Sequence, residues 1–179
     1  MMTVKEYLSL GRSDEQDKEM VKEYNKELIE KYPWCIPPDR WDPLYVHPQG
    51  INPDYDYTWT MLDDMPDGWR IAFGEDFCAD IQAIYETLPE TTKQLFYPAQ
   101  IKEKFGALRV YWNVAVDGMS DVIRKYEEKS HGICVNCGKP ATLISTGWIC
   151  PWCDDCAKEI HGELVPIKEW FKEGFKDEN

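Results

Sequence analysis

The sequence predicts an α+β fold with a cysteine-rich module at its C-terminal end, and three observations carry that expectation. Apolar residues recur at helical spacing over residues 13–31 and again over 67–90. Residues 99–114 alternate apolar and polar side chains on either side of a glycine. Five of the chain's seven cysteines lie within residues 134–156.

Ser13 followed by Gln16 reads as a capping box opening the first helix, which runs to about Lys31 and is stopped by Pro33. Met20, Val21, Tyr24, Leu28 and Ile29 form its expected buried face. Residues 33–66 hold seven of the twelve prolines, together with Trp34, Trp41, Tyr45, Tyr55, Tyr57 and Trp59. Proline at that density excludes regular helix and central strand, while the aromatics favour an ordered loop over disorder. Such a loop serves either as a cover for the core or as a binding surface.

In residues 67–90 the spacing of Phe77, Ile81, Ile84, Tyr85 and Leu88 predicts a core helix, with Cys78 a small buried side chain. The hairpin over 99–114 places Leu108, Val110 and Trp112 on one face and Arg109, Tyr111 and Asn113 on the other. Ser120 starts a further helix through Tyr126 to about Ser130, and this helix delivers the chain to the cysteines. The expected organisation is a helical segment 1–32, a proline- and aromatic-rich loop 33–66, a helix-hairpin-helix core 67–130, and a cysteine module with a C-terminal helix over 131–179.

The cysteine density needs a chemical cause. The opening MMTVKEYLSLGRSDEQDKEM lacks the apolar core of a secretory signal, and no stretch approaches the ~18 apolar residues of a membrane span. The expected location is the cytoplasm, where a cysteine cluster is more often a metal site than a disulfide framework. Cys134 and Cys137 can be joined by Cys150 and Cys153, spaced C-x2-C-x12-C-x2-C, or by Cys153 and Cys156, spaced C-x2-C-x15-C-x2-C. Both are zinc spacings.

Gly138 after the first pair permits a left-handed turn that brings backbone N–H groups toward the sulfurs. ATLIST and GWICPW read as short strands around Gly147, and CDDCAKEIHGELV as a helix carrying Cys153 and Cys156 three residues apart on one face. Asp154 and Asp155 suit its positive end. Knuckle, hairpin and ligand-bearing helix make a treble-clef arrangement, which selects Cys134, Cys137, Cys153 and Cys156 and leaves Cys150 spare. The alternative for Cys150-Pro151-Trp152-Cys153 is a redox pair, but the βαβ frame of thioredoxin-type sites is missing from the pattern. Four thiolates leave no position for water, so the zinc is expected to be structural.

A formal charge of −13, deepened by about −2 from four thiolates on one Zn²⁺, disfavours general binding to phosphate backbones and favours basic partners. His47, His131 and His161 are isolated, and the sequence has no H-E-x-x-H, P-loop, G-x-S-x-G or G-x-G-x-x-G, so no catalytic or cofactor-binding residue is assigned and the protein is read as a non-enzyme. Lys102, Lys104 and Arg109 on the hairpin form a candidate contact for an anion or an acidic partner group. Strand alternation places Lys102 and Lys104 opposite Ile101, Glu103 and Phe105.

The runs DDMPDGWRIAFGEDFC, QIKEKFGALRVYW and CVNCGKPATLISTGWICPWCDDCA resemble a family of small proteins of bacteriophages, prophages and gut-bacterial metagenomes. The resemblance covers roughly residues 33–157. In the family pattern the metal cysteines fall at Cys134, Cys137, Cys153 and Cys156, and the position of Cys150 need not be cysteine. The resemblance implies a bacterial host cytoplasm and brings no activity with it. Together with the charge it leads to the expectation of a zinc-stabilised accessory binding protein whose partner is a basic protein surface, such as a CRISPR nuclease or another defence effector that it would inhibit. The competing expectation is a zinc-finger-like regulator touching nucleic acid through the hairpin cations and the zinc module.

Overall fold

A computed structural model describes residues 2–37 and 55–170 and gives a mixed helix-and-sheet fold. In chain order come α1 (Val4–Leu8), α2 (Glu15–Lys31), 3-10 turns at Pro33–Cys35 and Met61–Asp64, α3 (Asp67–Thr87) and α4 (Glu90–Lys93). They are followed by β1 (Pro98–Lys104), β2 (Ala107–Trp112) and α5 (Met119–Ser130). The cysteine-rich part then adds β3 (Leu143–Ser145), β4 (Pro151–Trp152), α6 (Asp154–Ala157), β5 (Leu164–Pro166) and α7 (Ile167–Trp170). No helix among the described residues is long and apolar enough to cross a membrane.

Local chemistry corrects several expectations. Asp14, one residue beyond the expected Ser13, caps α2: its carboxylate accepts from the Gln16 and Asp17 amides at 2.9 and 3.2 Å. A carboxylate is the better partner for those donors because it also complements the positive helix end. Val21, Tyr24, Leu28 and Ile29 are buried as expected, while Met20 is only partly so and Asn25 is fully buried. The helix expected from Ser120 begins at Met119, with Gly118 in the left-handed region at φ 80° as its cap. Residues 38–54 of the 33–66 loop, including Trp41 and Tyr45, lie outside the described residues, as do residues 171–179 of the expected C-terminal helix.

The ends of the 33–66 segment are core rather than cover. Trp34, Cys35, Ile36, Met61, Leu62 and Met65 are all buried. Helix α3 is central, and its Trp69, Phe73, Phe77 and Ile81 recur every fourth residue in the buried set. Tyr126 of α5 packs on Phe73 and Phe77 with centroids 5.4 and 5.3 Å away, and Trp34 meets Phe77 at 6.4 Å. The hairpin joins the same cluster through Trp112, which lies 4.6 Å from Phe96 and 5.6 Å from Trp34. Aromatic pairs at these spacings add to the stability given by area burial.

The antiparallel hairpin pairs Lys104 with Ala107, so Phe105 and Gly106 form a two-residue turn. Both have positive φ, 54° and 78°, as a type I′ turn requires, and Glu103 Oε1 accepts the Gly106 amide at 2.7 Å. The Ser130 hydroxyl of α5 accepts the Leu108 amide at 2.9 Å, and the Met61–Asp64 turn packs along β1. Flanking groups therefore occupy both edges of the two-stranded sheet.

Asp63 ties the N-terminal elements to the core. Its Oδ1 accepts from Arg70 Nη1 at 2.7 Å, from the Tyr7 hydroxyl at 2.7 Å and from Arg12 Nη2 at 3.2 Å. Its Oδ2 takes the Thr60 amide at 2.6 Å. Burial alone would raise this carboxyl, but the Arg70 charge and the hydrogen bonds outweigh it and hold the group below its ordinary value. Replacing Asp63 with Asn leaves Arg70 buried without its counter-charge and should destabilise the fold by about 3 kcal/mol in chemical denaturation at neutral pH. A depressed carboxyl contributes stability above its unfolded value near 4 and loses it as pH falls through the folded value. The acid limb of the stability curve should therefore be shallower in Asp63→Asn than in the parent chain.

Candidate metal centre

The first ligand pair sits on a tight knuckle. The Gly138 amide donates to the Cys134 carbonyl at 3.1 Å and the Cys134 amide to the Lys139 carbonyl at 2.8 Å. Gly138 adopts φ 76°, which glycine tolerates without strain. The second pair brackets a helix start: Cys153 is the extended N-cap of α6 at φ −82° and ψ 163°, and Cys156 lies within the turn. The helix expected to continue through residue 165 is a single turn ending at Ala157, followed by β5. Asp155, in ion pairs with Lys139 and Lys158, marks this start, and Thr142 donates to Asp154 at 2.6 Å.

Strands β3 and β4 pair antiparallel with Leu143 opposite Trp152 and Ile144 opposite Pro151, which carries the chain back from the knuckle to the second pair. Strand β5, which the sequence pattern did not reveal, adds to the other side of β3 and gives the order β4-β3-β5. Leu164–Pro166 is three residues long and was hidden inside the expected helix, because so short a run shows no periodicity.

This framework brings together Cys134, Cys137, Cys153 and Cys156, whose sulfurs all lie within 4.8 Å of one another. Cys137 and Cys153 are 3.5 Å apart. Four sulfurs bound tetrahedrally at ~2.3 Å would be separated by roughly 3.8 Å, so the cluster has the dimensions and donor chemistry of a metal site. The Cys156 amide, assisted by neighbouring sulfurs and the Asp155 amide, holds the Cys153 thiol down at about 7. Cys137 moves the other way, to about 12, through burial and its sulfur neighbours. Asn136 within the knuckle sends Nδ2 to Cys156 Sγ at 3.4 Å, a contact the C-V-N-C run contained but spacing could not rank.

Cys150 stays outside the cluster. It is buried and exchanges hydrogen bonds with Ser145, whose amide donates to the Cys150 carbonyl at 3.0 Å and whose hydroxyl accepts the Cys150 amide at 3.1 Å. Burial beside Glu103 pushes its thiol up to about 12, an unreactive state.

The module docks on the core through a contact that no motif announces. A Cβ on Gly68 at the start of α3 would lie 2.1 Å from the Cys134 carbonyl oxygen and 2.7 Å from the Gly138 nitrogen, and one on Gly138 would lie 2.6 Å from the Gly68 carbonyl. The Gly68 amide donates to the Val135 carbonyl at 2.9 Å, and Trp69 Nε1 donates to the Ile133 carbonyl at 3.0 Å. A second bridge runs from Trp148 Nε1 to Glu103 Oε2 at 2.9 Å.

The hairpin cations occupy separate roles. Lys102 and Arg109 are cross-strand partners. Arg109 is ion-paired with Glu127 of α5, Lys102 lies 5.5 Å from the Tyr111 ring centre, and Lys104 lies 5.4 Å from that of Phe105. They share one hairpin without closing a pocket around an anion.

Cys150→Ser should keep the metal content of the parent chain, whereas Cys156→Ser should lose it, with metal measured by atomic absorption on reduced protein. Gly68→Ala forces the knuckle and α3 apart and should lower stability by ~3 kcal/mol in thermal or denaturant unfolding. Comparison of the chain with family models, with curated proteins and with solved structures found no match, so its function is argued from the geometry above.

Proposed function

We propose that the cysteine cluster holds one Zn²⁺ in a treble-clef-like module and that the protein is a non-enzymatic, phage-type accessory protein that binds a basic protein surface. The knuckle, the β3-β4 pair and the ligand-bearing turn support the treble-clef reading. Four sulfur donors fill a tetrahedral shell, so the metal acts as a staple.

The observation that carries the binding reading is the outer face of α2. Glu19, Glu23 and Glu27 follow one another at four-residue intervals and Glu30 adjoins them. Glu23, Glu27 and Glu30 have no ion pair among the described residues, which leaves three carboxylates of this helix for a basic partner even with Lys22, Lys26 and Lys31 on the same helix. With a formal charge of −13 the whole chain reinforces the same choice. A nucleic-acid-handling defence enzyme of the bacterial host, such as a CRISPR nuclease, is the target class that joins this charge to the phage-type sequence resemblance, and inhibition is the expected consequence.

Purified under reducing conditions, the chain should contain one zinc per molecule, and chelation should unfold at least the C-terminal module. Affinity capture from a bacterial lysate should recover a basic nucleic-acid-handling protein. The interaction should weaken with salt and with the double change Glu23→Lys and Glu27→Lys. Binding indifferent to both would remove the acidic face from the interface.

A further inference from the structure

Between the N-terminal segment, α2 and the first half of α3 lies a cavity of about 510 Å³, a volume that suits a small organic ligand. Its walls are mainly apolar. Leu28 and Tyr32 of α2, Leu62 and Phe73 of α3 line it, and all four are buried. Arg70 is set among them with a side chain only 3% exposed.

The buried guanidinium is only partly used. Arg70 Nη1 donates to Asp63 Oδ1 at 2.7 Å, and the same oxygen already accepts the Tyr7 hydroxyl and Arg12 Nη2. Asp63 Oδ2 is turned to the Thr60 amide, so this carboxylate does not take the guanidinium as a fork. Arg70 Nη2 is closed to water and has no hydrogen-bond partner. An unmade bond of a buried cation is costly, and an ionised oxygen is its strongest partner. Two guanidinium groups also share the single Asp63 carboxylate, which leaves the network with a surplus positive charge.

The surroundings fix the side from which a partner can come. Tyr7 covers one face of the guanidinium with its ring centre 4.7 Å from Cζ, and Asp63 occupies the Nη1 end. The cavity is the approach that remains. Tyr24, which also lines it, adjoins the cation without bonding Nη2. Burial pushes the Tyr24 phenol up against the downward pull of Arg70, so the hydroxyl keeps its proton at neutral pH and is a second donor beside the first.

We propose that this cavity binds a small monocarboxylate with an apolar body, its oxygens meeting Arg70 Nη2 and the Tyr24 hydroxyl and its body lying against Leu28, Tyr32, Leu62 and Phe73. A carboxylate brings the one negative charge that the network lacks and a planar pair of oxygens that matches a guanidinium edge. A sugar or nucleotide would set its hydroxyls against apolar walls without partners. At the mouth Lys31 adds a cation with no ion pair among the described residues. Of the two acids there, Asp76 is paired with Lys129 at 3.5 Å, and Glu75 selects against a second negative charge on the ligand. Nη2 lies behind the wall, so entry requires a side chain to give way, and Met2 at the mouth is long, unbranched and adaptable. This site needs neither the metal nor the basic partner proposed above.

The test uses the full chain purified under reducing conditions and ¹³C-labelled at its Met, Leu and Ile methyl groups. The probes are sodium octanoate, 1-octanol as its uncharged counterpart and inorganic phosphate as a bare anion. Octanoate should bind with a Kd on the order of 0.1 mM. It should shift the methyl resonances of Met2, Leu28, Leu62 and Ile71, which line the cavity, and leave those of Ile144 and Leu164 in the cysteine module in place. Octanol should bind at least ~10-fold more weakly because it lacks the charge-assisted bond, and phosphate should not move these methyls. Arg70→Lys keeps a counter-charge for Asp63 but removes the second amino group, and should weaken octanoate about 10-fold while leaving octanol unchanged. Lys31→Gln, at the surface, should weaken octanoate roughly 2-fold. No octanoate binding, equal binding of octanol, phosphate shifting the same methyls, or octanoate shifts away from these four residues would each overturn the proposal. If Arg70→Lys does not fold, the octanoate-to-octanol ratio and the methyl map of the parent chain decide alone.

Discussion

The close approach of Gly68 to Gly138 is the contact on which the arrangement of the molecule depends. Two backbones meet where any side chain would intrude to well under 3 Å, and the amide of one accepts no substitute geometry because it donates to the Val135 carbonyl. Through that contact the start of the central helix and the first ligand pair become one structural unit. Neither half has an alternative way to satisfy the groups involved: Pro66 at the cap of α3 provides no side-chain acceptor, and the knuckle's carbonyls point at the helix. The cysteine cluster therefore organises more than its own short strands, which with three and two residues in β3 and β4 would not be stable in isolation.

Around this joint the molecule divides its polar interactions by burial. The Asp63 network is a buried electrostatic centre in which two arginines, a tyrosine and a backbone amide converge on one carboxylate. It fixes α1 and the Met61–Asp64 turn to α3. The surface pairs along α3 and α5, such as Lys125 with Asp80 at 2.6 Å, lie in solvent and contribute little. Among the described residues, Glu23, Glu27 and Glu30 of α2 are without ion pairs, as are Lys26 and Lys31 of the same helix and Lys102 and Lys104 of the hairpin.

Periodicity and spacing made much of this legible. The two long helices, the hairpin with its alternating faces, and the clustering of Cys134, Cys137, Cys153 and Cys156 apart from Cys150 could all be read from the order of residues, because each is decided by chemistry within a short window. What could not be read was either long-range or too short to show a period. Asp14 and Ser13 are both acceptable caps, and only the folded geometry chooses between them. Gly68 lies in a P-D-G-W run that resembles an ordinary turn, and its significance comes from residues almost seventy positions later. The helix after Cys153 ended early because Leu164–Pro166 gains more by pairing with β3 than by extending an isolated turn. Met61, Leu62 and Met65 fall in a stretch that reads as either a cover for the core or a binding surface, because proline density describes backbone regularity and says nothing of side-chain burial.

The docking of the knuckle on α3 also has an electrostatic side. The N-terminal end of a 21-residue helix carries roughly half a positive charge, and here it lies against the backbone between the first two sulfur donors. A negative charge near such an end is favoured by something like 0.3–1 kcal/mol for each dipole–charge contact in the first turn, which works against the upward push that burial and the neighbouring sulfurs give the Cys137 thiol. The core helix would thereby ease part of the proton loss that metal binding at these cysteines requires. A fully charged, metal-bound cluster would in turn complement the positive end of α3, so the electrostatics of the core and the coordination chemistry proposed for the module favour the same state.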